Sequence, residues 1–241
     1  MIERILYIPF DHLNRHRGVL AHANPASDAV VLVESERMLT GRPWHKERLF
    51  FLVSSARHFA HGLGELGFQV RYIPAPTTTD GLRLAREEFG DLPIVSAEPS
   101  SFRQTQQLAE FGVEFVPNDF FLTPRELFAD WAGTQKSYVM ENFYRQQRIR
   151  LGILVDGKDP EGGRWNFDHD NRLPPPKNYE WPPYLEHQRD DIDREVATQL
   201  GYTPTNTWAT TRTGALKQLD YFITHHLAGF GPLEDAMAGD N

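Results

Sequence analysis

Apolar positions in the first half of the chain come as short runs separated by stretches with helical spacing. Residues 2–8 and 28–33, the latter reading DAVVLV, are rich in branched side chains, the composition of strands covered on both faces of a parallel sheet. Residues 68–73 alternate apolar positions with Gln69 and Arg71, and residues 92–97 and 113–116 complete a set of five strands. Between them, Leu49, Leu52, Val53, Ala56, Phe59, Ala60, Leu63 and Leu66 recur at spacings of three and four, which predicts an amphipathic helix over residues 45–66. Leu82, Ala85 and Phe89 predict a second helix over 80–89, and residues 102–111 around Leu108 a third. Strands and helices that alternate in this way predict an α/β fold with a doubly wound, mainly parallel five-stranded, Rossmann-like sheet, because right-handed crossovers are nearly obligatory between parallel neighbours.

The second half is patterned differently. Thr123-Pro124-x-Glu126 reads as an N-cap, a proline in the first turn and the glutamate of a capping box, opening a helix that passes Trp131. Residues 137–152 have helical length, with Val139, Met140, Phe143 and Tyr144 on one side and Arg145, Arg148 and Arg150 at the negative end of the dipole. The proline-rich stretch 157–183 excludes a continuous helix or a central strand and predicts an extended segment packed by Trp165, Tyr179 and Trp181. Residues 192–200 and 214–227 carry the last helical patterns, and 233–241 has the composition of a frayed end. The expected organisation is an α/β domain over 1–133, then a connection and helices over 134–241, with 137–172 as the hinge.

Composition narrows the chemistry. A formal net charge of −8 argues against a surface that tracks phosphate backbones throughout. The absence of cysteine excludes disulfides and any thiolate-held zinc or iron–sulfur cluster within these residues. No apolar run approaches a membrane span and the first residues read as a strand, so a cytoplasmic protein with no membrane partner is expected.

Motifs weigh mostly toward structure. Gly62-x-Gly64-x-x-Gly67 spells a dinucleotide fingerprint, yet it closes a helix ahead of a strand, whereas a phosphate-binding turn follows a strand and opens a helix. It reads as a helix stop. His12 and His16, and His58 and His61, have helical spacing, but neither pair comes with the set of extra carboxylate or histidine ligands that a closed or catalytic zinc site needs. No nucleophile elbow or phosphate loop is present, and no catalytic or metal-ligating residue is expected. The more informative feature is the rim beyond the strand ends, where open α/β sheets take ligands. There Asp11, Glu34 and Glu98 offer acceptors, while Phe10, Met38 and Leu52 offer apolar faces to a flat ligand. An ordinary solvated rim is the alternative. Two basic clusters, Arg42, His45, Lys46 and Arg48, then Lys136, Arg145, Arg148 and Arg150, suit either phosphate contact or pairing with acids such as Glu47 and Glu141.

The run Met140-Glu141, Phe143-Tyr144-Arg145, Arg148 and Gly162-Gly163-x-Trp165-Asn166-Phe167-Asp168-x-x-Asn171-Arg172 resembles the signature of the deoxyribodipyrimidine photolyase-related proteins, the iron–sulfur bacterial branch of photolyases and cryptochromes. The similarity extends to His45-Lys46, Ser54, Arg57-His58-Phe59, Arg212-Thr213, Phe230-Gly231 and Glu234-Asp235-Ala236-Met237. The resemblance implies an N-terminal antenna domain that holds a chromophore such as 6,7-dimethyl-8-ribityllumazine, with Asp11, Val33, Met38, Gly41 and Leu52 at the pocket positions. Two departures stand out. Relatives commonly have a glycine–aspartate–glutamine turn where this chain has Phe10-Asp11-His12, and some have glutamate for Met38 and tyrosine for Gly41. The resemblance also implies that FAD, the iron–sulfur cluster and the repair chemistry belong to a helical domain beyond the position of Met237. DNA would then be a partner of the longer protein only, and this chain would be inactive in repair by itself. A non-catalytic interaction domain that binds no chromophore, and dimerises through exposed C-terminal helices, is the alternative.

Overall fold

The computed structural model describes residues 1–169, 178–181 and 183–233. Its strands β1 (Arg4–Tyr7), β2 (Asp28–Ser35), β3 (Gln69–Ala75), β4 (Ile94–Ala97) and β5 (Val113–Val116) form one sheet in the order β3-β2-β1-β4-β5, with every pairing parallel. The five apolar runs are these five strands, and the doubly wound expectation holds. Its helices are α1 (Glu36–Thr40), α2 (Lys46–Glu65), α3 (Thr78–Phe89) and α4 (Phe102–Phe111). Later in the chain come α5 (Arg125–Gly133), α6 (Met140–Leu151), the two-residue strands β6 (Val155–Asp156) and β7 (Asp159–Pro160), then α7 (Asp191–Gln199), α8 (Arg212–His225) and α9 (Leu227–Leu233).

The period of two along each strand sorts the core into two layers. Ile5, Tyr7, Val31 and Val33 pack with Leu82 and Ala85 of α3 and Leu108 of α4. Leu6, Ile8, Val30 and Leu32 pack on the other face with Ala56, Ala60 and Leu63 of α2 and with Val19 and Leu20 of a 3₁₀ turn, Gly18–His22. Every residue of β2 is buried, which is why its run is continuous rather than alternating. On the α3 side the approach is close enough to require glycine. A Cβ on Gly81 would stand 2.5 Å from Cγ1 of Val33.

The chain divides into two compact units, residues 1–122 with 185–217, and residues 123–184 with 218–241. In the first unit, the late segment 185–217 is fastened to α2. Val196 of α7 is buried with Phe50 and Val53 of α2, and Leu39, Leu200 and Tyr202 pack around them. Lys46 Nζ donates to the carbonyls of Leu200 and Gly201 at 3.2 and 3.1 Å, at the end of α7 where carbonyls lack helical partners. Glu47 accepts from the Thr205 amide at 2.7 Å.

The deepest tie is a charged one. Glu34, at the end of β2 on the α2 face and 3% exposed, accepts from Arg57 Nη2 at 3.0 Å, Tyr72 Oη at 2.5 Å and Gln199 Nε2 at 2.6 Å. Arg57 also donates to Gln199. Burial opposes the Arg57 charge, but the Glu34 carboxylate outweighs it and raises the guanidinium pKa; burial and then Glu34 push the Tyr72 phenol well above its ordinary range, so it stays a donor.

In the second unit, Trp131 of α5 is buried against Phe143 of α6, ring centroids 4.8 Å apart, with Phe128 against both. Arg148 of α6 is buried too. It donates to the carbonyls of Ile153 and Trp165 at 3.2 Å each and to that of Leu154, and its guanidinium lies 5.2 Å from the Trp165 ring centroid and 5.3 Å from that of Tyr144. Gly162 and Gly163, at φ +77° and +75°, turn the chain back toward α6 in a conformation that a side chain resists. The small β6–β7 ladder interrupts the extended run expected over 157–183. The capping box expected at Thr123 is not formed. Pro124 takes the N-cap position without a side-chain cap, and the Thr123 hydroxyl instead donates to Gln147 at 3.0 Å. Helix α6 begins at Met140 rather than 137, and only Phe143 of its expected apolar side joins the aromatic cluster, Met140 being 84% exposed. Asn171, Arg172, residues 234–237 and most of the expected frayed end lie outside the described residues.

Four variants test this packing. Gly81→Ala gains about 1 kcal/mol of helix propensity and meets a stiff, buried Val33, where overpacking costs about 1–3 kcal/mol; net destabilisation in urea unfolding is expected. Arg57→Met strips a buried carboxylate of its counter-charge and is expected to cost about 3 kcal/mol, against about 1 kcal/mol for Tyr72→Phe. The double variant Glu34→Gln with Arg57→Met should recover part of that loss.

Candidate functional site

Beyond the C-terminal end of β1 the chain turns through Phe10, Asp11 and His12 and opens one wall of a cavity of about 650 Å³. Helix α2 supplies its floor through Phe51, Leu52, Ser55, His58, Phe59 and Gly62, and the far wall comes from Asp190, Ile192 and residues 209–213. All of these belong to the first unit. β1 is also where strand order reverses, the place at which doubly wound sheets open a ligand crevice. Aromatic rings, the exposed carboxylates of Asp11, Glu65 and Asp190 and several hydroxyls line a volume within the range of roughly 300–1,000 Å³ usual for small-molecule sites.

Of the eight rim residues singled out from the sequence, the structure brings three to this cavity, Phe10, Asp11 and Leu52. Val33 points to the other face of the sheet, against Gly81 of α3. Glu34 points toward α2, but its carboxylate is engaged by Arg57, Tyr72 and Gln199. Met38 is half-buried in α1, where its carbonyl accepts from the Trp44 indole at 2.9 Å. Gly41 ends α1, and a Cβ there would stand 2.3 Å from the Arg37 carbonyl oxygen. Glu98 follows β4, its amide donating to the Val116 carbonyl and its carbonyl accepting from Asn118. None of these five lines the cavity.

Beside Asp11, His12 is 3% exposed and stacks on Phe120 at 4.3 Å between centroids, with neither ring nitrogen hydrogen-bonded. Burial holds its imidazole below the usual range, against the pull of Asp11 and Asp119. At the opposite wall, His58 Nδ1 lies 2.8 Å from the Ser54 carbonyl and Nε2 lies 2.7 Å from Asp190 Oδ2. Burial would raise the Asp190 carboxyl, but the His58 contact and the amides of Asp193 and Ile192 lower it. His58, Asp190 and Asp193 each offer a ligand atom within 4.8 Å of the others.

Apart from Leu52, the α2 floor was not anticipated from the sequence, although a signal was there. The apolar stripe from Leu49 to Leu66 is wider than the sheet covers. Leu49, Val53, Ala56, Ala60 and Leu63 are buried, whereas Leu52 and Phe59 are half-buried and face the cavity. The glycine fingerprint sits as expected, with Gly62 and Gly64 in the last turns of α2 and Gly67, at φ +87°, just past its end. Of the basic residues at the start of α2 and just ahead of it, Arg42 and Arg48 stack on Trp44 and Lys46 caps α7. On α6, Arg145 pairs with Glu141 at 2.9 Å. Among the described residues no helix is long and apolar enough to cross a membrane.

The chain matches the family model described as deoxyribodipyrimidine photo-lyase-related protein over residues 6–214. It is 30% identical, over an alignment of 262 residues, to the (6-4) photolyase of Agrobacterium fabrum, with 100% of this chain and 51% of that protein covered. The chain therefore spans about half the length of that relative. An uncharacterised protein of Acanthamoeba polyphaga mimivirus is 22% identical over 181 residues, covering 70% of this chain and 87% of that one. With a parallel doubly wound sheet, the signature residues gathered around Arg148, and a family match that spans most of the sequence, the chain belongs to the deoxyribodipyrimidine photolyase-related proteins.

Proposed function

We propose that this chain is the N-terminal, antenna-type part of a photolyase-related protein, and that its α/β unit binds a flat chromophore of the ribityllumazine class in the cavity beside α2. The chromophore would collect light for DNA repair or photoreception by the longer protein, whose flavin chemistry belongs to the cofactor rather than to side chains. The observation that carries the reading is the position and lining of the cavity. It opens at the end of β1, where strand order reverses, and joins three rim residues found from the sequence with the apolar floor of α2.

A lumazine fits the chemistry of these walls. Its bicyclic ring is flat and polarisable and packs well against the rings of Phe10, Phe51 and Phe59. Its ribityl chain is a row of hydroxyl donors and acceptors, and Asp11, Ser55 and Thr211 offer complementary groups along the same cavity. Glu34 has no part in this, since a carboxylate already accepting from three side chains has little left for a ligand. Likewise Met38 and Gly41, which lie outside the cavity, contribute no contact in this reading.

The direct test is titration of the purified chain with 6,7-dimethyl-8-ribityllumazine, followed by quenching of the ligand's fluorescence. One equivalent should bind, and Leu52→Trp, which fills the cavity from the floor, and Asp11→Ala should each weaken binding about tenfold or more, the scale of one or two lost contacts. Binding that ignores both substitutions but responds to changes at Met38 would place the chromophore elsewhere on the rim. No binding at any concentration would overturn the proposal in favour of an interaction domain without pigment.

A further inference from the structure

Helices α2 and α7 meet at a corner that the chromophore reading does not use. His58 of α2, Asp190 at the N-cap of α7 and Asp193 one turn into α7 come together there, although His58 and Asp190 are 132 positions apart in sequence. From this corner we infer a binding site for one divalent transition-metal ion of the zinc and cobalt class, with His58 Nε2 and the carboxylates of Asp190 and Asp193 as protein ligands.

The first support is the direction of the histidine's hydrogen bonds. A backbone carbonyl only accepts, so the 2.8 Å contact with Ser54 fixes the proton on Nδ1 of His58. Nε2 then turns its lone pair on Asp190 Oδ2 at 2.7 Å, two electron-rich atoms face to face unless a cation stands between them. A ring held by its own N–H on a carbonyl, with the other nitrogen presented to a carboxylate-rich corner, is the arrangement of a metal-ligating histidine. A proton on Nε2 would satisfy this pair as well, so the first support does not decide alone.

Asp193 is the second support, and it favours the larger cation. Its side chain is 2% exposed, Oδ2 accepts from the Thr210 hydroxyl at 3.1 Å, and Oδ1 is buried with no hydrogen-bond partner. A proton on His58 leaves that oxygen unsatisfied, and an unsatisfied buried carboxylate oxygen is costly. A metal ion bound to all three residues removes both deficits at once. Arg189 is the nearest competing cation, but it reaches only 3.9 Å from Oδ2 and is bonded to the carbonyls of Asn206 and Trp208. Bonds of roughly 2.0–2.2 Å in a tetrahedral site put ligand atoms about 3.4 Å apart, so the His58–Asp190 pair at 2.7 Å opens slightly while the wider separations, all within 4.8 Å, close.

Three protein ligands leave a fourth position. His58 and Asp190 both line the cavity, so that position faces it and takes water or an oxygen of whatever occupies the cavity. The ion would also pin α7 to α2, a join otherwise made by Val196, Lys46 and the Glu34 network. This inference stands on residues distinct from Phe10, Asp11 and Leu52 and does not depend on the chromophore.

The experiment uses the full chain after chelation and dialysis, titrated with Co²⁺ followed by visible absorption and with Zn²⁺ by calorimetry. One equivalent should bind with an intense cobalt band of low coordination number, and Zn²⁺ should raise the melting temperature. His58→Gln keeps an amide able to reach Asp190 and should weaken binding by about tenfold or more, while His61→Gln, at an exposed neighbour, should change nothing. Asp193→Asn should behave as His58→Gln does; if it fails to fold, His58→Gln alone carries the result. The inference is overturned if no cobalt band forms, if His58→Gln binds as the unaltered chain does, or if Zn²⁺ leaves the His58 ring resonances unmoved.

Discussion

A carboxylate buried at the tip of a central strand has to be answered by donors, and in this protein that constraint sets much of what surrounds the cavity. Glu34 draws one donor from α2, one from β3 and one from α7, residues that are 23, 38 and 165 positions away. Each tie alone is a hydrogen bond. Together they fix the angle at which α2 crosses the sheet and bring the segment after 185 back onto it. Hydrophobic packing supplies most of the stability, since Leu32, Val53, Ala56 and Val196 are fully buried around the same point. Packing is non-directional, though, and would tolerate a rotated α2. The charged network supplies the direction, a use of buried ion pairs better attested than raw stabilisation.

The sheet was legible because both faces of its inner strands are covered, which leaves runs such as DAVVLV unbroken by polar residues. The site was only partly legible, and one miss was avoidable. Val33 and Glu34 were both placed on the rim, yet neighbours along a strand point to opposite faces, so one pocket on one face does not receive both. Val33 lies under α3 and Glu34 under α2. Other misses had no local signal. Gln199, Asp190 and Asp193 are ordinary polar residues of a surface helix until folding carries α7 onto α2. The pair His58 and His61 read as incomplete in sequence for the same reason. The cap at Thr123 failed through competition, a hydroxyl that serves equally well as a donor to Gln147.

The residues that carry the family resemblance have a clear physical task in this chain. Arg148 needs partners because it is buried, and the chain supplies three carbonyls and two aromatic faces, from Tyr144 and Trp165. Gly162 and Gly163 provide the reversed backbone that brings Trp165 there. Lysine would not substitute well for Arg148, since a single ammonium lacks both the flat face and the fork of donors. The motif that marks the family thus reads as the lock of a loop onto α6. A strong signature identifies a fold and its joints without naming a reacting group.

Helix α2 explains how one element serves a core, a cavity and a metal corner together. A helix that covers a sheet needs an apolar arc about 100° wide, and α2 spends Leu49, Val53, Ala56, Ala60 and Leu63 on it. The flank at Phe51, Ser55, His58 and Gly62 follows the i, i+4, i+7 and i+11 spacing of a second stripe, and all four residues line the cavity. That stripe mixes an aromatic ring, a hydroxyl, an imidazole and a glycine, a composition with no value for packing against a sheet. Solvent exposure does not account for it either, since all four are partly buried. A stripe neither apolar enough for a core nor polar enough for water is what a ligand wall requires, and the helix keeps it rigid because its opposite face is locked to the sheet. The two sites proposed for this unit therefore share a frame, and anything that shifts α2 along the sheet acts on both.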